Sequence, residues 1–224
     1  MKFQLPRNIL FDMDGTLLDS FPGIAFSINE ACRTIGLPEP KANLRSLLGP
    51  PVRTIFSAAV PTNDTSLLDR LEVAFRSSYD AVGWKRTSSF ENVSEVLTLL
   101  QANKRQLFVV SNKPRHISLR ILEHEGLLPY FTRIYTIDSR VPPYPSKEDM
   151  LGEFLSEYGI SPSDCLMVGD TMEDIIASEA NQIPAAFIEH GYGEIPTTFP
   201  LQLRLRSFSD FLGQLVMENT NDRS

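Results

Sequence analysis

The feature that most constrains the fold is a regular alternation of apolar runs with amphipathic segments beyond Val93. Short apolar runs predict strands, and apolar residues at helical spacing predict helices. Strands and helices in alternation predict a parallel sheet joined by right-handed crossovers. We therefore expect strands at 106–112, 133–138, 164–170 and, as the last strand, 184–190, with helices at 115–127, 146–160 and 172–182.

One more strand is predicted far upstream, at the apolar run "ILF" (9–11), which is typical of a strand buried on both faces. No convincing strand lies between about Ser20 and Thr87, because the segments there have helical periodicity instead. We interpret 20–87 as an all-helical cap domain inserted after the first strand. Residues 1–19 and 88–224 then form the α/β core domain with a Rossmann-like parallel sheet.

Charge and hydropathy exclude several classes of protein. The net charge of -7 argues against nucleic acid as the main partner. No apolar run approaches the roughly 18 residues of a membrane span. The first residues lead straight into the predicted strand without a secretory signal. These features predict a cytoplasmic protein with no membrane partner, as a monomer or homodimer.

Acidic residues follow the first predicted strand at once, in "NILFDMDGTLLDS" (8–20). Ligands of parallel sheets bind beyond the carboxyl ends of the strands, where these side chains lie. The Asp12 carboxylate is placed to attack an electrophile and form a covalent intermediate. Asp14 is placed to protonate a leaving oxygen and later to deprotonate water. Gly15 lets the backbone turn away sharply.

A second acidic pair, Asp170 and Asp174, lies in "GDTMED" (169–174). The two residues are four apart at a helix start and therefore share one face. With Asp12 they would form an oxygen-only cluster. Like charges about 4 Å apart cost roughly 4 kcal/mol at an effective dielectric constant of 20, and a hard divalent cation relieves that cost. Oxygen ligands of this kind favour Mg²⁺ over zinc.

Two further residues are candidate anchors for an anion. Ser111 ends a predicted strand, and Lys147 lies at a predicted helix start, where free backbone N–H groups also favour anions. A bound Mg²⁺ could share an oxygen of the same anion. A nucleophile, an acid/base, a metal cluster and two anchors together predict phosphoryl transfer to an aspartate.

These residues resemble the haloacid dehalogenase superfamily of aspartate-nucleophile phosphatases. "DMDGTLLDS", "VVSNK" and "GDTMED" are similar to its first, second and fourth motifs, and the helical insertion resembles its small cap. The closest resemblance is to the phosphoglycolate phosphatase-like branch. It implies a Mg²⁺-dependent phosphatase that hydrolyses a small phosphorylated metabolite through an aspartyl phosphate.

The resemblance also implies a role for each matching residue. Asp12 would be the nucleophile and Asp14 the general acid/base. The phosphoryl group would be bound by Ser111, Asn112, Gly15 and Lys147. The metal would be bound by Asp12, Asp170 and the backbone carbonyl of Asp14, with Asp174 in support. The third motif departs from the usual G-K-P-x-P pattern, since the chain has "PPYPSKEDML" (142–151), and Lys147 is the only lysine beyond Lys113.

Other functions stay open at this point. A sugar-phosphate mutase similar to β-phosphoglucomutase would share the fold and both catalytic aspartates, although the cap has no histidine to face a hydroxyl group. Carbon–halogen hydrolysis, phosphonate hydrolysis with a cap lysine and a non-enzymatic binding role are weaker alternatives. Arg53 is a candidate substrate contact from the cap or a solvated helix arginine. Lys113 could approach the active site, but we interpret it as a surface lysine. Glu173 is interpreted as a solvated residue.

Overall fold

A six-stranded parallel sheet forms the centre of the larger of two units into which the chain divides. The computed structural model describes residues 4–213. The larger unit comprises Met1–Leu18 and Ser89–Ser224, and the smaller unit comprises Asp19–Ser88. The sheet and the helices beside it come from sequence on both sides of the smaller unit.

The sheet has the strand order β5-β4-β1-β6-β7-β8, and every pair is parallel. Its strands are β1 (Asn8–Phe11), β4 (Gln106–Ser111), β5 (Arg133–Thr136), β6 (Cys165–Gly169), β7 (Ala185–Ile188) and β8 (Leu203–Leu205). The two remaining strands, β2 (Leu18–Asp19) and β3 (Ser88–Ser89), lie where the chain passes between the units. Because β1 lies between β4 and β6, the carboxyl ends of these three strands are neighbours.

Four α-helices of the larger unit precede β8: α4 (Val93–Ala102), α5 (Arg115–His124), α6 (Lys147–Tyr158) and α7 (Met172–Ala180). All residues of β1 and β6 are buried, as expected for parallel strands covered on both faces. One apolar cluster joins Leu10 and Phe108 of the sheet to Leu151 and Phe154 of α6. This packing fixes the start of α6 relative to the strand ends.

Between its two ends, the smaller unit contains helices and no strand. Its helices are α1 (Phe21–Thr34), α2 (Val52–Ala59) and α3 (Thr65–Ala81), with short 3-10 turns at Leu44–Leu47 and Gly83–Arg86. The Asp64 side chain caps α3 by accepting hydrogen bonds from the backbone N–H groups of Ser66 and Leu67. Phe75 packs edge-on against Phe56 and stacks on Tyr79.

The predicted α/β class and the alternation of strands and helices are confirmed. Several predicted helices and strands extend beyond the ends that the structure shows. The predicted helix 172–182 ends at Ala180, and the predicted strand 184–190 ends at Ile188. The expectation that 184–190 is the last strand is wrong, because β8 pairs with β7 at the sheet edge. With three residues, β8 is too short to give a clear periodic signal.

Among residues 4–213, no helix combines the length and apolar character needed to cross a membrane. The cytoplasmic location stays a prediction.

Candidate active site

Three carboxylates meet at the carboxyl end of the sheet. Asp12 directly follows β1, Asp170 directly follows β6, and Asp174 lies in the first turn of α7. One carboxylate oxygen from each lies within 4.8 Å of the others, and all three residues are buried. The parallel pairing of Phe11 with Val168 accounts for the meeting, since it brings the ends of β1 and β6 side by side.

Two glycines make this close approach possible. A Cβ on Gly169 would lie 2.4 Å from the Cβ of Asp174, so a larger residue there would push α7 away. Gly15 has a φ of +91°, and its Cβ would lie 2.2 Å from Oδ2 of Asp170. Only glycine tolerates both that backbone conformation and that contact. The glycines therefore determine how near the carboxylates come to the loop after β1.

Lys147 joins two members of the carboxylate cluster. Its Nζ donates hydrogen bonds to Oδ1 of Asp12 at 2.7 Å and to Oδ1 of Asp174 at 2.5 Å, and the residue is only 3% exposed. Burial opposes the charged ammonium, but the two carboxylates outweigh it and raise the pKa of Lys147 above its usual value. Lys147 starts α6 because Ser146 caps the helix and accepts a hydrogen bond from the N–H of Asp149.

The cluster pays an electrostatic cost for its burial. Loss of hydration raises the pKa of Asp12 well above its usual value, although the charge of Lys147 partly opposes the shift. Burial, followed by the charge of Asp174, raises the pKa of Asp170 to about 7. A divalent cation among these oxygens would stabilise the ionised carboxylates. The donor set therefore fits a hard cation such as Mg²⁺.

Both oxygens of Asp170 are held by groups that the sequence did not reveal. Thr16 donates its hydroxyl to Oδ1 at 2.9 Å, and the backbone N–H of Tyr192 donates to Oδ2 at 2.8 Å. A Cβ on Gly191 would lie 2.2 Å from the Cβ of Asp170, so the segment after β7 also packs closely on this residue. The available signal was "GYG" (191–193), a glycine pair just beyond a predicted strand.

Lys113 is placed differently from its predicted position. The interpretation of Lys113 as a surface lysine is wrong, because its side chain is only 8% exposed. Its Nζ donates to both carboxylate oxygens of Asp14, at 2.9 and 3.0 Å. Asp14 itself is 26% exposed in its side chain and contributes no side-chain oxygen to the three-carboxylate cluster. The two lysines thus bind different aspartates of the same loop.

The end of β4 supplies the remaining predicted phosphate contacts. Ser111 is buried, and its Oγ accepts a hydrogen bond from the N–H of Lys113 at 3.2 Å, which leaves its own hydroxyl proton available for another acceptor. Asn112 donates from Nδ2 to Oε1 of Glu173 at 2.7 Å. Glu173 is exposed, in line with its interpretation as a solvated residue, and it also accepts this hydrogen bond.

Arg53 lies on α2 in the helical unit and has partners there. Its guanidinium bonds to Asp69 at 2.5 Å and to Glu72 at 3.5 Å, and it donates to the carbonyl of Thr65 at 3.4 Å. These contacts show how the side chain is held within its own unit. A contact with substrate stays a prediction for this residue.

A family model for haloacid dehalogenase-like hydrolases matches residues 9–188, from the second residue of β1 to the end of β7. The chain belongs to this family. The match includes every residue of the three-carboxylate cluster together with both lysines. It confirms the predicted family.

Relatives of the chain have names that describe different activities. Tyrosine-protein kinase PtkA of Mycobacterium tuberculosis is 32% identical over 192 residues, which cover 84% of this chain and 64% of that protein. The chain thus spans less than two thirds of that kinase. A 5'-nucleotidase of Pseudomonas aeruginosa is 28% identical, with coverage of 83% of this chain and 84% of that protein. Several phosphoglycolate phosphatases are 28–29% identical.

Solved structures show the same fold. The crystal structure of a predicted phosphoglycolate phosphatase from Haemophilus somnus has a TM-score of 0.83 and 25% sequence identity, covering 95% of this chain and 99% of that one. The structure of PtkA from Mycobacterium tuberculosis has a TM-score of 0.81 and 28% identity, with coverage of 95% and 99%. Proteins named for different activities therefore share this architecture.

Proposed function

We propose that the chain is a Mg²⁺-dependent phosphatase that hydrolyses a small phosphorylated metabolite, similar to phosphoglycolate, through an aspartyl phosphate on Asp12. The observation that carries the proposal is the buried cluster of Asp12, Asp170 and Asp174 bridged by Lys147. The cluster combines a carboxylate nucleophile, oxygen ligands for a cation and a cation for phosphate. The family membership and the phosphatase names among the relatives support the same conclusion.

The first half-reaction transfers the phosphoryl group to Asp12. A carboxylate oxygen of Asp12 attacks phosphorus, and the bond between phosphorus and the leaving oxygen breaks. The bonding electrons remain on that oxygen, which takes a proton from Asp14. Lys147 lies 2.7 Å from Oδ1 of Asp12 and is thereby placed to contact oxygens of the transferring group. Ser111, Asn112 and the backbone at Gly15 complete the proposed phosphate pocket.

The second half-reaction releases phosphate. Asp14 is now ionised and takes a proton from water as the water oxygen attacks phosphorus. The bond between phosphorus and Asp12 breaks, its electrons return to the carboxylate, and inorganic phosphate leaves. Asp14 thus ends the cycle protonated, as it began. This exchange needs a carboxylate that is separate from the nucleophile and partly open to water, which describes Asp14.

The proposed metal ligands are the carboxylates of Asp12 and Asp170 and the backbone carbonyl of Asp14, with Asp174 in support. When bound, Mg²⁺ would supply positive charge against the phosphate oxygens. The protein's part is to hold the ligands in place. Thr171 holds Asp174 in this way. Its backbone N–H and its hydroxyl both donate to Oδ2 of Asp174 and fix that carboxylate against the start of α7.

The core residues do not determine the leaving group. They act only on the phosphoryl group and on the oxygens that attack it and leave it. The names of the relatives suggest which substrates to compare. We would measure kcat/KM with Mg²⁺ for phosphoglycolate, 5'-nucleoside monophosphates and sugar phosphates, and follow both phosphate release and isomerised sugar phosphate. Phosphate release that is abolished by chelator and restored by Mg²⁺ is the expected result. Isomerisation without phosphate release would instead favour the mutase alternative.

The relative named as a tyrosine-protein kinase adds a second candidate, phosphoryl transfer to a tyrosine. It would use the same nucleophile with a nucleoside triphosphate as donor. Incubation with γ-labelled ATP and a tyrosine-containing polypeptide distinguishes the two. Under the phosphatase proposal the label does not appear on tyrosine. Stable phosphotyrosine whose formation depends on Asp12 would favour the kinase function instead.

A further inference from the structure

Lys113 is built into the end of β4 from several sides. Its backbone N–H donates to Oγ of Ser111 at 3.2 Å, and its carbonyl accepts from the hydroxyl of Ser118 at 3.3 Å. Its side chain is 8% exposed and ends between the two carboxylate oxygens of Asp14. An anchored backbone and a buried side chain leave the ammonium group little freedom, so its contact with Asp14 is well defined.

The contact has a geometry suited to orientation. Hydrogen bonds from one Nζ to both oxygens, at 2.9 and 3.0 Å, fix where the carboxylate points as well as where it lies. The other carboxylates of the site are held by different groups. Asp12 and Asp174 bond to Lys147, and Asp170 bonds to Thr16 and Tyr192.

We propose that Lys113 is a positioning residue for Asp14, which holds the acid/base carboxylate in the orientation from which it exchanges protons with the leaving group and with water. The inference rests on the proposed function. Lys113 acts through Asp14 and makes no bond to the reacting phosphorus. Its loss should therefore affect those steps in which Asp14 transfers a proton and spare a step that needs no proton.

p-Nitrophenyl phosphate separates these steps, because p-nitrophenolate leaves with little need for a proton. The full-length chain with saturating Mg²⁺ would be studied by rapid mixing, with p-nitrophenolate release and acid-trapped phosphoenzyme as the two readouts. The variants are Lys113→Met, Asp14→Asn and the double variant. Lys104→Met, which removes an exposed lysine of the same unit, is the matched control. If Lys113→Met does not fold, Lys113→Gln replaces it.

We expect Lys113→Met to form the phosphoenzyme at nearly the wild-type rate and to lose it about ten- to one-hundred-fold more slowly. The trapped fraction should therefore rise. The double variant should decay within about twofold of Asp14→Asn alone, because a residue that acts only through Asp14 adds nothing once that carboxylate is gone. Lys104→Met should match the wild type.

Three results would overturn the proposal while leaving the phosphatase function intact. The first is that the phosphoenzyme of Lys113→Met decays at the wild-type rate although that of Asp14→Asn decays slowly. The second is an equal loss in formation and decay, which indicates general damage to the site. The third is multiplication of the two losses in the double variant, which indicates that Lys113 acts on the substrate directly. A wild-type protein that releases no phosphate and traps no phosphoenzyme would overturn the proposed function, and this inference with it.

Discussion

The two units differ in their ion pairs, because the sheet unit buries pairs at the carboxyl end of its strands, whereas the pairs described in the helical unit are open to solvent. In the sheet unit, Lys147 and Asp174 form an ion pair whose side chains are 4% and 0% exposed. In the helical unit, Arg53 and Asp69 form a pair whose side chains are 39% and 67% exposed. The Arg76–Glu72 and Arg33–Glu30 pairs of the helical unit are also open to solvent on the arginine side.

This difference determines what each charge can contribute. Exposed pairs are screened by water and contribute about 0–1 kcal/mol to stability. Buried charges lose hydration, so removal of one partner costs about 3–5 kcal/mol. A protein gains little stability from burying several carboxylates together, and such clusters are typical of sites with a chemical task. We therefore expect substitutions in the buried cluster of the sheet unit to affect activity strongly and those of exposed pairs in the helical unit to affect stability weakly.

The largest effect is expected for Asp12→Asn. An amide does not form the proposed phosphoenzyme, so kcat/KM should fall by at least about 10⁴-fold. Asp138→Asn is a matched control, because Asp138 follows β5 at the same sheet edge and accepts a hydrogen bond from the N–H of Arg115 without joining the cluster. Steady-state kinetics with circular dichroism as a check on folding would measure both variants. Near-normal turnover in Asp12→Asn would place the nucleophile elsewhere.

A second effect separates stability from function at Asp170. Its pKa of about 7 exceeds the value of about 3.9 for an unfolded aspartate, so the folded metal-free protein binds the extra proton between these values. Stability of the metal-free protein should thus fall as the pH rises from about 4 to 7 through this group. Asp170→Asn removes the group, and its oxygen and amide can still face Tyr192 and Thr16.

We therefore expect metal-free Asp170→Asn at pH 8 to unfold at a temperature equal to or higher than that of the wild type. A gain of about 1 kcal/mol corresponds to roughly 2–4 °C in a chain of this size. Mg²⁺ should raise the unfolding temperature of the wild type and leave that of the variant nearly unchanged. Calorimetry with and without Mg²⁺ would measure both, and an equal rise in both proteins would exclude Asp170 as a ligand.

The sequence predicted the cluster because its members lie in short segments at strand ends, where position follows from the parallel fold. Asp12 and Asp170 needed only the correct strands to be placed. Lys113 was interpreted as a surface lysine because its bond to Asp14 spans 99 residues, through the pairing of β1 with β4. A local pattern cannot show which way such a side chain turns. The hydrogen bond from Tyr192 was missed for a related reason, since its donor is a backbone N–H and any residue except proline supplies one.

A smaller effect is expected one step away from the cluster, at Thr16. Thr16→Val keeps the shape of the side chain and removes its hydrogen bond to Asp170, whereas Thr16→Ser keeps a hydroxyl. Loss of a group that orients a ligand typically weakens metal binding by about 10–100-fold. Titration calorimetry with Mg²⁺ should show this weakening for the valine variant and recovery in the serine variant. Equal affinities in the two variants would mean that the hydroxyl does not orient Asp170.

The smallest effect on stability is expected in the helical unit, for Arg53→Ala. Its ion pair with Asp69 is exposed and screened by water, so the free energy of unfolding should fall only slightly. Arg33→Ala is the matched control, because Arg33 pairs with Glu30 in the same unit and is even more exposed. Denaturant unfolding of both variants should give similar small losses. A loss of several kcal/mol for Arg53→Ala alone would show that this exposed pair supports the fold.

Activity then tests the predicted substrate contact independently of stability. If Arg53 binds the leaving group, Arg53→Ala should lower kcat/KM for the natural substrate by about 10–100-fold, the scale of a charge-assisted hydrogen bond. p-Nitrophenyl phosphate, whose ring has no matching anion, should lose much less, and Arg33→Ala should leave both substrates unaffected. Equal losses on both substrates would assign Arg53 to the fold or the phosphate site. No loss on either would leave it as a helix arginine whose task is the pairing with Asp69 and Glu72.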